Sequence, residues 1–326
     1  MSQVVSKEET GTDKIVKQQA ASKRKLMRVS TNQWVVIVQR LGRNRVATLA
    51  LYYITLNCLI ATFYPVLMGI GPTASYAVHD ARNGGGANSF PNLKYPAGTD
   101  LRGLDSFSRL LAGAETSILV GILSTIIALI IGVTLGLFAG YYGGKIEEVI
   151  MRITDLFLAV PFLIIALILL RLSDLGQAGF MQSMTHVQVI TLLIGLFGWA
   201  GLCRLVDASV KQVKEMEYVQ AVRIMGASDK RILFVHIFPN VLAPIIVLGA
   251  LFIAGGILSE AGLAFLGFGD ASNTISWGIQ VNLATSQLRI HPEQSLVPGL
   301  AIFFLVLAVN LFGDALADAM NPRLKE

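Results

Sequence analysis

Six long apolar runs, separated by polar segments, constrain the fold of this chain more than any other feature. A helix needs roughly 20 mostly apolar residues to cross about 30 Å of hydrocarbon. The runs cover residues 46–70, 117–141, 154–172, 187–203, 241–262 and 297–316. Only 14% of the residues are charged, whereas soluble domains carry about 25%. We therefore predict an all-α polytopic membrane protein with six transmembrane helices.

The distribution of lysine and arginine predicts the orientation, because both are enriched in cytoplasmic loops. If the N-terminal tail is cytoplasmic, the inner segments are residues 1–45, 142–153, 204–240 and 317–326. All but six of the 26 basic residues fall in these segments, and the six outer ones are Arg82, Lys94, Arg102, Arg109, Arg171 and Arg289. We expect both termini in the cytoplasm. With five spans instead, the C-terminus would move outside and the bias would weaken.

The segments outside the core are read from their composition. Residues 1–45 form a polar tail that we expect to be disordered over its first thirty positions. Residues 33–45 are predicted to form a short interfacial helix with Trp34 at the headgroups. The segment 71–116 is predicted to be an extracytoplasmic loop rich in glycine and proline, and residues 117–316 a core of five spans.

No motif predicts catalysis or a bound cofactor. Cys58 and Cys203 both lie in apolar runs, so neither a disulfide framework nor a metal site is expected. The segment 140–145 is rich in glycine but fails as a phosphate loop, since Ala139 and Ile146 stand where that motif requires glycine and serine or threonine. We expect that the chain is not an enzyme and binds no cofactor or metal itself.

Two groups of residues inside the runs are candidates for packing or gating. The second run has a small residue at every fourth position, namely Ala128, Gly132, Gly136 and Gly140. Such a stripe allows close helix contact, either between moving subunits or within this chain. Ionisable residues in spans are costly, so Asp155, Glu260 and Asp314 are possible gate or structural residues. Residues 265–269 are a possible re-entrant hairpin.

The inner segment 204–240 has the most specific pattern. Residues 214–225 favour a helix, and Gly226 stands where a left-handed residue would end it. Ser228 or Asp229 can cap a following helix, and Pro239 marks the approach to the fifth span. The pattern predicts a short helix, a sharp turn and a second helix at the inner membrane face. Local physics allows either a lever gripped by a partner or a plain amphipathic connector.

This segment resembles the signature of permease subunits of ABC importers, which reads Glu-Ala-Ala, three residues, Gly, and Pro thirteen residues later. Gly226 and Pro239 have that spacing, and Gln220 replaces the leading Glu. Further matches run in order from about residue 95 to 324, and resemble the C-type permease subunit of dipeptide and oligopeptide importers. They include Ala97–Gly103, Ser108–Ala114, Ala139–Gly144, Met151–Asp155, Ser259–Ala261, Phe265–Gly269, Ser276–Gly278, Pro298–Ala301, Asn310–Asp314 and Asn321–Leu324.

The resemblance implies a type I ABC importer permease (MetI-like) fold with a cytoplasmic coupling helix. It also implies a second homologous permease subunit, two ATPase subunits that use ATP and Mg, and an extracytoplasmic binding protein that delivers substrate at the cell (inner or plasma) membrane. The residues implied in ATPase coupling are Glu217, Tyr218, Gln220, Ala221, Arg223, Gly226, Ala227, Ser228, Arg231 and Pro239. Peptides are the cargo that the resemblance favours, with oligosaccharides or nickel complexes as alternatives. An ATP-independent secondary transporter is the alternative from another class.

Overall fold

The computed structural model describes residues 33–67, 86–175, 179, 183–269 and 274–320. The regular secondary structure within them is helical, apart from one isolated bridge between Thr99 and Asp105. The helices are α1 Gln33–Arg43, α2 Arg45–Leu67, α3 Ser106–Tyr142, α4 Gly144–Ala159, α5 Phe162–Asp174, α6 His186–Lys214, α7 Glu217–Ile224, α8 Asp229–Phe265, α9 Trp277–Ala284 and α10 Glu293–Met320. The predicted disordered tail and the final segment 321–326 lie outside the described residues.

Five of these helices are long and apolar enough to cross a membrane: α2, α3, α6, α8 and α10. The predicted third run, 154–172, is not one helix. It is split between α4 and α5, which meet at a bend of 78° and make a sixth span only if the pair is counted as one. The break falls at Val160, whose backbone is extended, and Pro161. Proline disfavours helical backbone at the residue before it and has no N–H to continue the helix.

Several helices extend beyond the predicted boundaries. Helix α3 begins at Ser106 instead of residue 117, because the carboxylate of Asp105 accepts the N–H groups of Phe107 and Ser108 and caps the helix. The predicted outer loop 71–116 is therefore helical over its last part. Helix α6 starts at a capping box between Thr185 and Gln188 and continues to Lys214, into the predicted inner loop. The predicted inner segment 142–153 belongs mainly to α4.

The centre of the bundle is the pair α3 and α6, which make the most extensive helix contact in the described protein. The small-residue stripe of α3 forms this contact. Ala128 is fully buried, and Gly132, Gly136 and Gly140 face the backbone or side chains of α6. The stripe therefore lies against a helix of the same chain. Its small side chains allow the backbones of α3 and α6 to approach each other closely.

Helix α3 has 37 residues, about 55 Å at 1.5 Å per residue, so it defines two separated ends of the molecule. At one end, α3 ends at Tyr142 beside α7 and the start of α8. This end is called the hairpin end, after the helix–turn–helix formed by α7 and the start of α8. Arg40 of α1 donates to the carbonyl of Ala319 near the end of α10 at 3.3 Å. The predicted helix at residues 33–45 is thus present as α1, and it contacts the C-terminal part of the described chain.

At the opposite end, α9 folds back against the bundle. The indole N–H of Trp277 donates to the carbonyl of Leu110 at 2.8 Å, and Gln280 donates to the carbonyl of Arg109 at 2.8 Å. Helix α8 ends just before Gly267, whose φ of +93° requires glycine. Residues 265–269 form the end of α8 and the turn after it, residues 270–273 lie outside the described residues, and the re-entrant hairpin stays a prediction.

Candidate functional site

The predicted helix–turn–helix lies at the hairpin end and is here called the hairpin (residues 215–239). It comprises α7, a turn over residues 225–228, and the first part of α8. It is shorter than the predicted inner loop 204–240, because α6 occupies the beginning of that segment. The fifth predicted run also begins too late, since α8 starts at Asp229 rather than near residue 241.

The turn after α7 is built around Gly226. Its φ is +81°, and its N–H donates to the carbonyl of Arg223 at 3.0 Å. The N–H of Ala227 donates to the carbonyl of Val222 at 3.3 Å. These two bonds form a Schellman motif, in which a left-handed residue ends the helix and satisfies its last carbonyls. The turn geometry follows the prediction made for Gly226.

The next helix begins at Asp229. Ser228 occupies the N-cap position, but its hydroxyl accepts no hydrogen bond from the N–H groups of the first turn. A π-helical turn covers Ile232–Ile237, and Pro239 follows after Phe238. The wider turn accommodates a proline that cannot donate to the carbonyl four residues earlier. Pro239 therefore lies within a continuous helix and not in an approach segment before a span.

One buried residue anchors α7. Val219 is 1% exposed and packs with Ile232, Leu233 and Ile237, which are 0–2% exposed, in a core that continues to α3 and α6. Burying such side chains stabilises the contact by about 1.5–3 kcal/mol each. Helix α7 is thus held on the start of α8 by its inner face, while its other face remains open.

Two polar contacts hold the first half of α7. Gln220 donates its side-chain amide to the carbonyl of Lys214 at the end of α6, at 3.1 Å. A glutamate at this position would have no N–H to donate, so the glutamine that departs from the family signature has a structural use here. The hydroxyl of Tyr218 donates to the carbonyl of His236 at 3.3 Å. Partial burial of this hydroxyl against α8 raises the pKa of the Tyr218 phenol.

Most of the residues implied in coupling are exposed. These are Glu217, Tyr218, Gln220, Ala221, Arg223, Gly226, Ser228, Arg231 and Pro239, with Ala227 half-buried. Two apolar residues at the tip were not among them: Ile224 is 86% exposed and Met225 is 76% exposed. The sequence signal that would have identified this pair is two apolar residues in succession directly before the glycine that ends an amphipathic helix.

Ion pairs brace the helices beneath the hairpin. The ammonium of Lys211 on α6 lies 2.6 Å from a carboxylate oxygen of Glu147 on α4 and 2.7 Å from Asp207. Asp207 is buried, with its side chain 8% exposed. Buried carboxylates need a partner charge or hydrogen bonds to offset lost hydration. Lys211 therefore fixes the start of α4 to the end of α6.

The other predicted candidates are distributed along the bundle and do not join the hairpin. Asp155 on α4 pairs with Arg204 on α6, and both side chains are about half exposed. Asp314 on α10 is exposed. Glu260 is 3% exposed near the opposite end of α8 and accepts a hydrogen bond from the hydroxyl of Ser117 on α3 at 3.1 Å. Ser117 in turn accepts the N–H of Trp277 at 3.4 Å, so this network joins α3, α8 and α9.

Within the described ranges, no group of three or more His, Cys, Asp and Glu side chains is arranged to hold a metal ion. The distinctive feature of the site is a hairpin whose tip exposes the apolar side chains of Ile224 and Met225. Such a tip is suited to contact with another protein.

Comparisons with known proteins agree with this assessment. Residues 132–326 match the family described as binding-protein-dependent transport system inner membrane component. The chain is 35% identical over 292 residues to the glutathione transport system permease protein GsiD of Pectobacterium atrosepticum, covering 90% of this chain and 92% of that protein. It is 34% identical to GsiD of Escherichia coli O6:K15:H31, with coverage of 90% and 91%.

The fold is also found among solved structures. The MetNI methionine ABC transporter in an inward-facing conformation (CY5 SeMet soak crystal form) matches with a TM-score of 0.53 at 16% identity, covering 65% of this chain and 96% of that chain. The native crystal form matches with the same TM-score at 15% identity. At this level of identity the match shows a shared fold, which is the predicted MetI-like permease fold.

Proposed function

Because the chain belongs to the family of binding-protein-dependent transport system inner membrane components, and is thus a multi-pass permease subunit of an ABC importer, we propose that its hairpin is the coupling element on which an ATPase subunit acts. ATP and Mg are then used by that partner, and this chain contributes half of the translocation pathway. The termini and the hairpin lie on the cytoplasmic side in this proposal.

The exposed apolar tip of the hairpin carries the proposal. Ile224 and Met225 protrude beyond the anchored part of α7, while Val219 is buried below them. Large apolar side chains held in this way on a rigid element are typical of protein contacts. Arg223, Lys230 and Arg231 lie around the tip. We expect an apolar socket with an acidic rim on the ATPase subunit.

A second permease subunit is proposed to pack on the open face of α8. A β-carbon added at Gly255 or Gly262 would meet nothing within 4 Å, and Ser259 between them is half-buried. The glycines of α3, in contrast, are already covered by α6, α8 or α9. Small residues left uncovered on a membrane helix favour close approach of another helix. This face therefore supports pairing with a homologous subunit.

The proposed cargo is a small peptide delivered by an extracytoplasmic binding protein. Support comes from the relatives, which are named for glutathione transport and align with this chain over nine-tenths of its length. Uptake of labelled glutathione and of di- and tripeptides by vesicles that contain the whole complex tests the cargo separately from the coupling role.

Co-purification tests the coupling proposal. The tagged chain, extracted in mild detergent, should bring down ATPase subunits and a second permease. Replacing Ile224→Asp together with Met225→Asp should remove the ATPase subunits and leave the second permease bound. Leu288→Asp is the matched control, because Leu288 is 52% exposed but lies at the opposite end. Retention of the ATPase subunits by the double variant would overturn the proposal.

A further inference from the structure

Tyr141, the penultimate residue of α3, contacts three other helices at the hairpin end. Its hydroxyl donates to a carboxylate oxygen of Asp229, the first residue of α8, at 2.5 Å. Its own carbonyl accepts the ammonium of Lys214 at the end of α6 at 2.6 Å. The guanidinium carbon of Arg223 on α7 lies 6.0 Å from its ring centroid. Tyr141 is 3% exposed, so a single buried residue joins four helices.

The bond between Tyr141 and Asp229 is suited to transmitting movement. A hydroxyl that donates to an ionised carboxylate forms a short and strong hydrogen bond. The carboxylate of Asp229 also lies at the start of α8, where the helix dipole favours negative charge. The bond therefore fixes the end of one membrane helix to the beginning of another, directly beneath the turn at Gly226.

Apart from the contact of Arg223 with the ring of Tyr141, the other contacts described between α3 and the hairpin are mainly apolar. Leu137 and Tyr141 pack with Val219, Ile232 and Leu233 in one core. Apolar contacts are non-directional and permit sliding between packed helices. A directional bond is what would make α3 follow the start of α8 without slipping.

We propose that Tyr141 and Asp229 form a strut that transmits movement of the hairpin, through the start of α8, to α3, so that they are positioning residues for the coupling of ATP hydrolysis to transport. This inference rests on the coupling role proposed for the hairpin. Without the strut, the ATPase still docks on the tip, but part of its movement is lost before it reaches the pathway.

Conservative variants separate this role from a general effect on stability. Tyr141→Phe keeps the buried ring and removes only the hydroxyl. Asp229 is exposed, so water can solvate its carboxylate when the hydroxyl is absent. Tyr142→Phe is a matched control, because Tyr142 is 47% exposed and its ring stacks on Phe138. Asp229→Asn retains an acceptor oxygen, whereas Asp229→Ala does not.

The test measures ATP hydrolysed per substrate molecule imported by the reconstituted complex, together with its thermal stability. Tyr141→Phe and Asp229→Ala should each raise that ratio about fivefold or more, and the double variant should be no worse than either one. Tyr142→Phe should behave as wild type, and Asp229→Asn should lie close to it. A merely structural role would lower the melting temperature and the amount of complex, but would leave the ratio unchanged.

Cross-linking of a Met225→Cys variant to the ATPase subunit tests the coupling site separately from the strut. If the cross-link forms and Tyr141→Phe has the same ratio as Tyr142→Phe, the strut is refuted and the coupling site stands. If no cross-link forms even with Tyr141 intact, the coupling site itself is refuted.

Discussion

Gly132 of α3 lies so close to Trp199 of α6 that a β-carbon at residue 132 would stand 2.7 Å from the carbonyl oxygen of Trp199. The same relationship recurs one and two turns later. A β-carbon at residue 136 would stand 2.6 Å from the carbonyl oxygen of Cys203, and one at residue 140 would stand 2.8 Å from that of Asp207. The contact of α3 with α6 is therefore limited by backbone atoms, which cannot rotate away as a side chain can.

Gly132→Ala should lower the stability of the complex, because the added methyl group must push two helices apart. Overpacking of this kind costs about 1–3 kcal/mol. Gly201→Ala is the control, since a β-carbon there would meet nothing within 4 Å. Thermal unfolding in detergent measures both. Equal melting temperatures for the two variants would contradict the packing described for α3 and α6.

Gly226→Val should uncouple ATP hydrolysis from transport. The space around Gly226 is open, so the cost arises from its φ of +81° alone. Left-handed backbone costs most other residues about 1–2 kcal/mol, and a β-branched side chain more. Gly226→Asn should be far milder, because asparagine tolerates this conformation. Import and ATPase activity are measured together, and normal import by the valine variant would refute the role of the turn.

Gln220→Glu should loosen α7 even though it restores the residue of the family signature. The glutamate cannot donate to the carbonyl of Lys214, and a lost hydrogen bond of this kind costs about 0.5–1.5 kcal/mol. Hydrogen exchange of the backbone amides of residues 217–224 should become faster. Unchanged exchange would show that the amide contact of Gln220 does not hold the helix.

Glu260→Leu should destabilise the opposite end, because the hydroxyl of Ser117 is buried and would lose its acceptor. An unsatisfied buried hydroxyl costs about 1–3 kcal/mol. Glu260→Gln keeps an acceptor oxygen and should retain most of the stability. If both variants unfold at the wild-type temperature, the network of Glu260, Ser117 and Trp277 contributes nothing to holding α9 in place.

The sequence predicted the helical class and the approximate spans, because apolar runs of span length have few other structures available. It failed where local chemistry decides a boundary. The cap by Asp105 begins α3 early, and Pro161 breaks the third run, although both residues are visible in the sequence. The turn at Gly226 was predictable because a left-handed residue is set by local backbone preference.

The strut between Tyr141 and Asp229 was not predictable, since its partners lie 88 positions apart and are brought together only by packing of α3 on the start of α8. The same holds for Glu260, which the sequence marked as a candidate without showing its contact with Ser117, 143 positions away. The exposed tip at Ile224 and Met225 required the burial of Val219 to fix which face of α7 points outward.

The side of the membrane on which Met225 lies is the most direct test of the account. A Met225→Cys variant is treated with a membrane-impermeant maleimide in intact cells and in inside-out vesicles, with a Leu288→Cys variant as control and the parent chain, which contains Cys58 and Cys203, as background. If the hairpin is cytoplasmic, Met225→Cys should be labelled only in inside-out vesicles. Leu288→Cys, at the opposite end, should be labelled only in intact cells. Labelling of Met225→Cys from outside intact cells would contradict the account.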